Sequence, residues 1–181
     1  LTGGAFGEGL SANVLDAYRF IVDNYAEGDE LWFFGFSRGA FTVRSLSGLI
    51  RKSGILRKAH SDRAHRAFDL YRARSRTPED RASWNGVDGE PALSFRRDYS
   101  VIPPSIHFIG VFDTVGAIGI PVSPRNVLYY FARRKWGFHD VDLSTRVRFA
   151  YQALAIDERR PAFTPSIWNV QAPPAGVTQD V

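Results

Sequence analysis

The feature that most constrains this chain is the pentapeptide Gly-Phe-Ser-Arg-Gly, Gly35 to Gly39, which stands between an apolar run and a segment of helical spacing. The spacing predicts a strand over 30–34 and a helix from about 39 to 52. A Ser on a tight strand-to-helix turn is pushed out of the sheet, and glycines on either side permit a strained backbone and a close approach that Cβ atoms would block. Ser37 is therefore the candidate nucleophile.

A glycine-rich turn with a surface serine would produce the same pentapeptide by chance, so the flanking residues decide between the two interpretations. Leu31 to Phe34 is too apolar and aromatic for a surface loop and predicts a buried parallel strand. After the pentapeptide, apolar side chains recur on one helical face at Val43, Leu46, Leu49 and Ile50. Both flanks favour the strand-turn-helix interpretation.

The composition bounds the class of protein. The chain has 181 residues, of which 44% are hydrophobic, so it fits one domain with a substantial core. No apolar stretch has membrane-spanning length, so we expect a soluble chain, either cytoplasmic or exported. The lack of Cys excludes disulfides and thiolate catalysis, and no His or carboxylate cluster has metal-ligand spacing, so no metal or cofactor is expected. The lack of Met, even at position 1, indicates a processed or excised piece.

A helix-strand-helix passage occupies the first third of the chain. Ser11 is a candidate N-cap of a helix that Gly28 stops. Its apolar positions are Val14, Leu15, Tyr18, Ile21, Val22 and Tyr25. We call the Gly35–Gly39 turn the elbow and the helix that follows it the elbow helix. Together with the strand at 30–34 and the elbow helix, this passage predicts an α/β fold, with helices flanking a sheet. Gly3, Gly4 and Gly7 could form an anion-binding loop, which is a weak signal.

Further elements are predicted beyond the elbow helix. Ser61 caps a helix to about Arg74, and the polar residues 75–104, rich in Pro and Gly, are interpreted as an insertion or lid. Ser105 to Phe112 is a second strand of the buried type. Helices are predicted to start at Ser123–Pro124 and at Ser144, the second running through Ala150, Leu154 and Ile156.

Asp113 directly follows the second buried strand. Ligand crevices in open α/β sheets lie at the carboxyl ends of strands, and in α/β-hydrolase order the acid follows the nucleophile. Asp113 is therefore the candidate acid partner of Ser37; the alternative is a turn residue whose side chain satisfies loop N–H groups. The backbone N–H of Arg38, next to the nucleophile, is the candidate oxyanion donor.

The general base is harder to place among the four histidines. His60 and His65 belong to a basic segment where solvent exposure is the default. Alternation makes His107 a core or sheet-face residue of the strand before Asp113. His139 follows both candidate residues in chain order and is the remaining substitute, with a surface position as its alternative.

Positive charge is concentrated from Arg51 to Arg76, which holds nine Lys or Arg residues against Asp62 and Asp69. Such a segment could contact phosphate-bearing partners such as a membrane surface, or it could be a solvated helical face. No aromatic interleaving or nucleic-acid motif accompanies it, so no nucleic-acid partner is expected.

Several blocks of the chain together resemble a known family. They read GGAFGEGLSANVLDAYRFIVDNY, GDELWFFGFSRGAFTVRSLSGLI, FIGVFDTVGAIGIP and ALAIDERRPAFTPSIW. The chain is similar to the DUF2235 family of α/β-hydrolases, which includes the catalytic domain of type VI secretion phospholipase effectors of the Tle1 class. The resemblance spans nearly the whole chain in the right order.

The resemblance implies a Ser-Asp-His hydrolase in which Ser37 is the nucleophile and Asp113 orients the base. In the family, the His lies in a WFPGxHSDVGGGY-like block after an SIWNV-like strand, so the base is expected beyond Val181. The resemblance also implies one incomplete α/β-hydrolase-like domain over residues 1–181, with the lid or insertion at about 55–104. Asp157 to Arg160 matches a family block too, although the preferred interpretation of this cluster is charges and ion pairing at a helix C-terminus.

The substrate implied by the resemblance is a phospholipid or another acyl ester. Two alternatives stay open at this point. One is a catalytically silent module that binds a partner or a lipid surface, and the other is a hydrolase of a different ester or of a peptide-like bond.

Overall fold

The computed structural model describes residues 3–73, 89–101, 105–114, 146–159, 167–168 and 178–180. The helices are α1 (Gly3–Asn24), α2 (Arg38–Ser53), a 3₁₀ helix (Lys58–Arg63), α3 (Ala64–Arg72) and α4 (Glu90–Tyr99). The strands are β1 (Trp32–Phe36), β2 (Ile55–Leu56), β3 (Ser100–Val101), β4 (Ile106–Phe112), β5 (Val147–Ala153) and β6 (Thr178–Asp180). No helix within these ranges is both long and apolar enough to cross a membrane.

The main sheet is parallel and has the strand order β1-β4-β5-β6. Phe36 of β1 pairs with Phe112 of β4, and Phe112 pairs with Ala153 of β5. Since all neighbouring pairs are parallel, the strands end at the same side of the sheet, which we call the carboxyl edge. The predicted α/β fold is confirmed.

One face of this sheet is covered by α1 and α2. Phe33, Ile109, Val111 and Ala150 point into a core that includes the apolar stripe of α1 predicted from spacing. From that stripe, Val14, Leu15, Tyr18, Ile21 and Val22 are buried. The burial of the stripe explains why α1 is helical, because most helical stability in proteins comes from packing an apolar face.

The other face of the sheet exposes aromatic side chains. Trp32, Phe34 and Phe36 of β1 are 50%, 63% and 70% exposed. The ring of Phe108 lies 5.2 Å from Phe34 and 5.6 Å from Tyr151. The strand is parallel, as predicted, but within the described part of the chain only alternate residues of β1 are buried, because α1 and α2 pack on one side of it.

The start of α1 differs from the prediction. The helix begins at Gly3, so Ser11 lies inside it and is not its N-cap, and the three glycines at positions 3, 4 and 7 are helical instead of forming an anion-binding loop. Leu10 is buried against Phe41 and lies one turn before Val14. The apolar stripe of α1 thus begins before Ser11. The contact between Leu10 and Phe41 outweighs the preference of Ser11 for an N-cap position.

The segment after α2 is more ordered than its composition predicts. Ser61 lies in the 3₁₀ helix and α3 begins at Ala64, so Ser61 does not cap α3. Residues 89–101, expected to be part of a structureless connection, contain α4 and β3. Pro91 falls in the first turn of α4, where a missing N–H has no consequence, so this Pro begins a helix instead of marking a loop.

These elements pack on the C-terminal end of α2. The Ser53 hydroxyl donates to Ala67 O at 3.1 Å, and Arg96 Nη1 donates to Arg51 O and Lys52 O at 3.2 Å. The lid function assigned to about 55–104 stays a prediction. Residues 74–88 and 102–104, the helix predicted at Ser123–Pro124, and Ser144 lie outside the described residues.

The helix predicted to run through Ala150 is wrong, because Val147–Ala153 forms strand β5. Its Val, Phe and Tyr residues favour a pleated surface, and β5 pairs along its length with β4. Ala150 and Leu154 are spaced as on a helix, but the apolar residues of this segment also alternate with polar ones, as in a strand. The spacing of Ala150 and Leu154 therefore did not distinguish a helix from a strand.

Replacing Tyr18 by Phe tests the packing of α1. Its buried hydroxyl donates to Gly54 O at 2.9 Å, so Tyr18→Phe is expected to lower the free energy of unfolding by about 1 kcal/mol at pH 7. Burial also raises the pKa of Tyr18, so the wild type is expected to lose stability above pH ~10, where the unfolded phenol ionises first. Urea unfolding at pH 7 and at pH about 10.5 checks both effects. If Tyr18→Phe loses as much stability between pH 7 and pH about 10.5 as the wild type, the loss does not come from the buried Tyr18 phenol.

Candidate active site

Ser37 occupies a strained turn between β1 and α2. Its backbone has φ 53° and ψ −114°, a left-handed conformation that is uncommon for a residue with a Cβ. Its N–H donates to Phe112 O at 2.9 Å, which ties the turn to β4, and its carbonyl accepts from Phe41 N–H at 3.3 Å at the start of α2. Strain of about 1–3 kcal/mol per residue persists where the surrounding structure fixes it, and such residues cluster at active sites.

Gly35 explains how β1 and α2 approach each other. A Cβ at this position would lie 2.6 Å from both Ala40 Cα and Gly39 O, closer than any real contact. A Cβ at Gly39 would meet nothing within 4 Å. Of the two flanking glycines, therefore, Gly35 permits the close approach that the motif predicts, while Gly39 is not required for it on steric grounds.

Asp113 lies beside Ser37 at the carboxyl edge. Because Phe36 and Phe112 are paired, each candidate residue follows directly after a member of the same pair. The Asp113 N–H donates to Ala153 O at 2.8 Å, and its backbone also has a positive φ of 46°. The register therefore brings the candidate nucleophile and the candidate acid together on neighbouring strand ends.

The Asp113 carboxylate has an unused acceptor. Its Oδ1 atom is buried and has no hydrogen-bond partner among the described residues, so this atom does not satisfy a loop N–H in that part of the chain. Thr114, which follows, is fully buried, and its hydroxyl is likewise without a partner there. A buried unsatisfied acceptor costs about 1–3 kcal/mol, so a donor that completes the site would be favoured.

Arg38 is the first residue of α2, and its side chain is exposed. The first N–H groups of a helix have no intrahelical acceptor, and the helix dipole places partial positive charge at this end. The Arg38 N–H therefore has the hydrogen-bonding capacity that an oxyanion donor needs. It is also adjacent in sequence to Ser37, as the motif predicts.

The described histidines lie away from the carboxyl edge. His107 stacks on Trp32 with centroids 4.5 Å apart and contacts Glu30 at 3.3 Å. It precedes Asp113 by six residues, or about 20 Å of strand, so it is a sheet-face residue, as alternation predicted. His60 contacts the Tyr99 ring, and His65 contacts Arg19. His139 lies outside the described residues.

A buried polar group near the site was not predicted. Gln152 of β5, beside Val111, accepts from Trp168 N–H at 3.2 Å through Oε1. The Arg44 guanidinium lies 5.0 Å from the Trp168 ring centre and is buried. These contacts link α2 to β5. No sequence signal identified them, because a polar residue in a helix or strand is expected on the surface.

The Asp157-Glu158-Arg159 cluster was expected at a helix C-terminus, which is wrong. It follows strand β5 and therefore lies at the carboxyl edge, as Asp113 does. Over the described ranges, no three His, Cys, Asp or Glu side chains group together to hold a metal ion.

The structure thus brings a strained Ser37, the close approach at Gly35 and the neighbouring Asp113 together at the carboxyl edge. The model of the catalytic domain of Tle1-like phospholipase effectors of the type VI secretion system matches residues 1–180. The chain belongs to this family. The description of this family names phospholipase effectors.

A curated relative of this Tle1-like domain is an uncharacterized protein of Saccharomyces cerevisiae, YEL023C. It is 31% identical over 160 residues, which make up 87% of the present chain and 21% of the relative. The chain thus spans about a fifth of the length of the relative it matches. No solved structure matches the chain significantly.

Proposed function

We propose that this Tle1-like domain is a serine hydrolase that cleaves a phospholipid or another carboxylic ester. The observation that carries the proposal is the pairing of a strained Ser37 with Asp113, whose buried Oδ1 has no partner among the described residues. Backbone strain at the turn and a buried acceptor without a donor both lower the stability of the fold. Features of this kind are retained where catalysis uses them.

In the proposed reaction, Ser37 Oγ attacks the ester carbonyl carbon while a general base takes the hydroxyl proton. The carbonyl oxygen becomes an oxyanion, which the Arg38 N–H stabilises. When the tetrahedral intermediate collapses, the base gives its proton to the leaving alcohol, and the acyl group remains on Ser37. Water, deprotonated by the same base, then attacks the acyl-enzyme and releases the carboxylic acid, and Ser37 regains its proton.

We assign the general base to a histidine that follows β6. Strand β6 is parallel to β5, so its carboxyl end lies at the same edge as Asp113. A residue that follows β6 is therefore delivered towards the site, in agreement with the family resemblance, which implies the His beyond Val181. The Asp113 carboxylate would accept the Nδ1–H of this His, fix its tautomer and stabilise the imidazolium.

Asp113→Asn is expected to lower kcat by about 10⁴-fold, because an amide presents the wrong group to the base and carries no charge. Asn tolerates a positive φ as well as Asp does, so the fold should be retained. Steady-state hydrolysis of a phospholipid measures the change, and circular dichroism serves as the folding control. A variant with more than about a tenth of the wild-type kcat would show that Asp113 is not the acid of the triad.

Labelling with a fluorophosphonate tests the proposed chemistry directly. The probe forms a covalent bond with an activated serine, and we expect peptide mapping to place it on Ser37. In a separate assay, the unlabelled protein is expected to release fatty acid from a phospholipid substrate. Labelling of Ser37 with hydrolysis only of short acyl esters would retain the serine hydrolase and reject the phospholipid. A folded protein that is neither labelled nor active would indicate a non-catalytic binding module.

A further inference from the structure

We propose that Trp168 is a positioning residue of the candidate active site. It holds α2, which begins directly after Ser37, in a fixed place relative to β5, whose end binds the backbone of Asp113. The inference rests on the proposed function, because it assigns the residue that keeps the nucleophile and the acid in their relative positions. Trp168 acts through its neighbours and is not itself a catalytic residue.

Trp168 joins two elements of the fold through two separate contacts. Its ring centre lies 5.0 Å from the guanidinium carbon of Arg44 in α2, and its backbone N–H donates to Oε1 of Gln152 in β5 at 3.2 Å. All three residues are buried. Because interiors are close-packed and hydrogen bonds are directional, these contacts hold the two elements at a defined separation.

Both partners of Trp168 lie close to the candidate site. Arg44 lies in the second turn of α2, about 9 Å along the axis from the first residue of that helix. Gln152 directly precedes Ala153, whose carbonyl accepts the Asp113 N–H at 2.8 Å. A shift of α2 or of β5 at Trp168 therefore reaches the turn of the nucleophile on one side and Asp113 on the other.

The contact with Gln152 lies on the face of the sheet that α2 covers. Gln152 is paired with Val111 of β4 and stands two residues after Ala150, and both of these belong to the core on that face. The helix α2 packs directly on β1 and β4. Trp168 thus extends the support of α2 to β5, the strand whose end binds Asp113.

Catalysis is more sensitive than stability to a contact of this kind. A misplacement of about 1 Å can lower a rate about 100-fold, and catalytic groups stay in place only when packing locks the residues around them. The indole ring of Trp168 is a rigid body that fills its site in one orientation. Loss of the ring should therefore disturb the relative positions of Ser37 and Asp113 even in a protein that stays folded.

Phe95 offers a matched control elsewhere in the same core. It is 4% exposed, against 3% for Trp168, and the guanidinium of Arg66 lies 6.0 Å from its ring centre. Its helix, α4, contacts the opposite end of α2, where Arg96 donates to two carbonyls of that helix. Phe95→Leu therefore removes a buried ring near α2 and leaves the contact with β5 intact.

Hydrogen exchange measured by mass spectrometry tests the role of Trp168 without a substrate. In the full protein, Trp168→Leu is expected to speed exchange of the Ser37 and Asp113 amides, which bind β4 and β5, about tenfold, and Phe95→Leu to leave it within about twofold. The rate constant for labelling of Ser37 at saturating fluorophosphonate should also fall about tenfold in Trp168→Leu alone, with the half-saturating probe concentration unchanged.

Unchanged exchange in Trp168→Leu would overturn this role, as would equal acceleration in Phe95→Leu or faster exchange with an unchanged labelling rate. If Trp168→Leu does not fold, Gln152→Met is judged by the same criteria, since it keeps the ring and removes the acceptor of the Trp168 N–H. Labelling of wild-type Ser37 combined with unchanged exchange would retain the hydrolase and reject the role of Trp168. A folded wild type that is not labelled would reject the hydrolase and, with it, any positioning role.

Discussion

Replacing Ser37 by Gly is expected to give a protein that is inactive and more stable than its Ser37→Ala counterpart. Both variants lack the proposed nucleophile, so ester hydrolysis should fall by at least about 10⁴-fold in each. Only Gly lacks the Cβ that makes a φ of 53° strained, so only Ser37→Gly should recover the strain. Allowing for the extra freedom of Gly in the unfolded chain, we expect a net gain near 1 kcal/mol over Ser37→Ala.

Thermal unfolding and phospholipid hydrolysis measure the two effects on the same samples. A difference of about 1 kcal/mol corresponds to a melting temperature about 2–4 °C higher for Ser37→Gly in a domain of this size. Ser37→Ala is the internal control because it retains the Cβ and removes only the hydroxyl. Activity above about 1% of the wild type in either variant would exclude Ser37 as the nucleophile, and equal melting temperatures would exclude strain at the turn.

The candidate site could be predicted from the sequence because its signals are local. Gly35 and Ser37 occur within one pentapeptide, and the apolar runs on both sides define the strand and the helix that hold it. Asp113 was found in the same way, as the first polar residue after a buried strand. What the sequence could not show is that Phe36 pairs with Phe112, the register that brings Ser37 and Asp113 together.

The parts of the fold that were predicted incorrectly depend on tertiary contacts. β5 has apolar residues at spacings compatible with either a helix or a strand, and its pairing with β4 decides between them. α4 lies in a segment rich in Pro and polar residues, yet Phe95 packs into the core beside Tyr99. Spacing also does not show which sheet face other elements cover, so the exposure of Phe34 was missed.

The buried contacts around Trp168 show a further limit. Arg44 and Gln152 are buried polar residues whose sequence neighbours give no reason for burial, and both contact Trp168. Trp168 is far from both in sequence. A pattern of local spacing holds no information about contacts between residues that are distant in sequence. Motifs can therefore identify a candidate site without identifying the residues that pack around it.

Among substitutions that add one methyl group to the site, Gly35→Ala is expected to be the most destabilising. The added Cβ would lie 2.6 Å from Ala40 Cα and 2.6 Å from Gly39 O. Both are backbone atoms, so no side-chain rotation can relieve the clash. β1 is fixed by pairing with β4, and α2 is fixed by its buried face. We therefore expect a loss of about 3 kcal/mol, at the upper end of the range for overpacking.

Gly39→Ala is the matched control for this change, since it adds the same methyl group four residues later. Its Cβ meets nothing within 4 Å, and Ala is favoured over Gly in a helix by up to about 1 kcal/mol. Urea unfolding should therefore show opposite signs for the two variants. Gly35→Ala should also lower kcat about 100-fold, because separating α2 from β1 moves the Arg38 N–H relative to Ser37. Two variants of equal stability would mean that the close approach at Gly35 does not hold the elbow together.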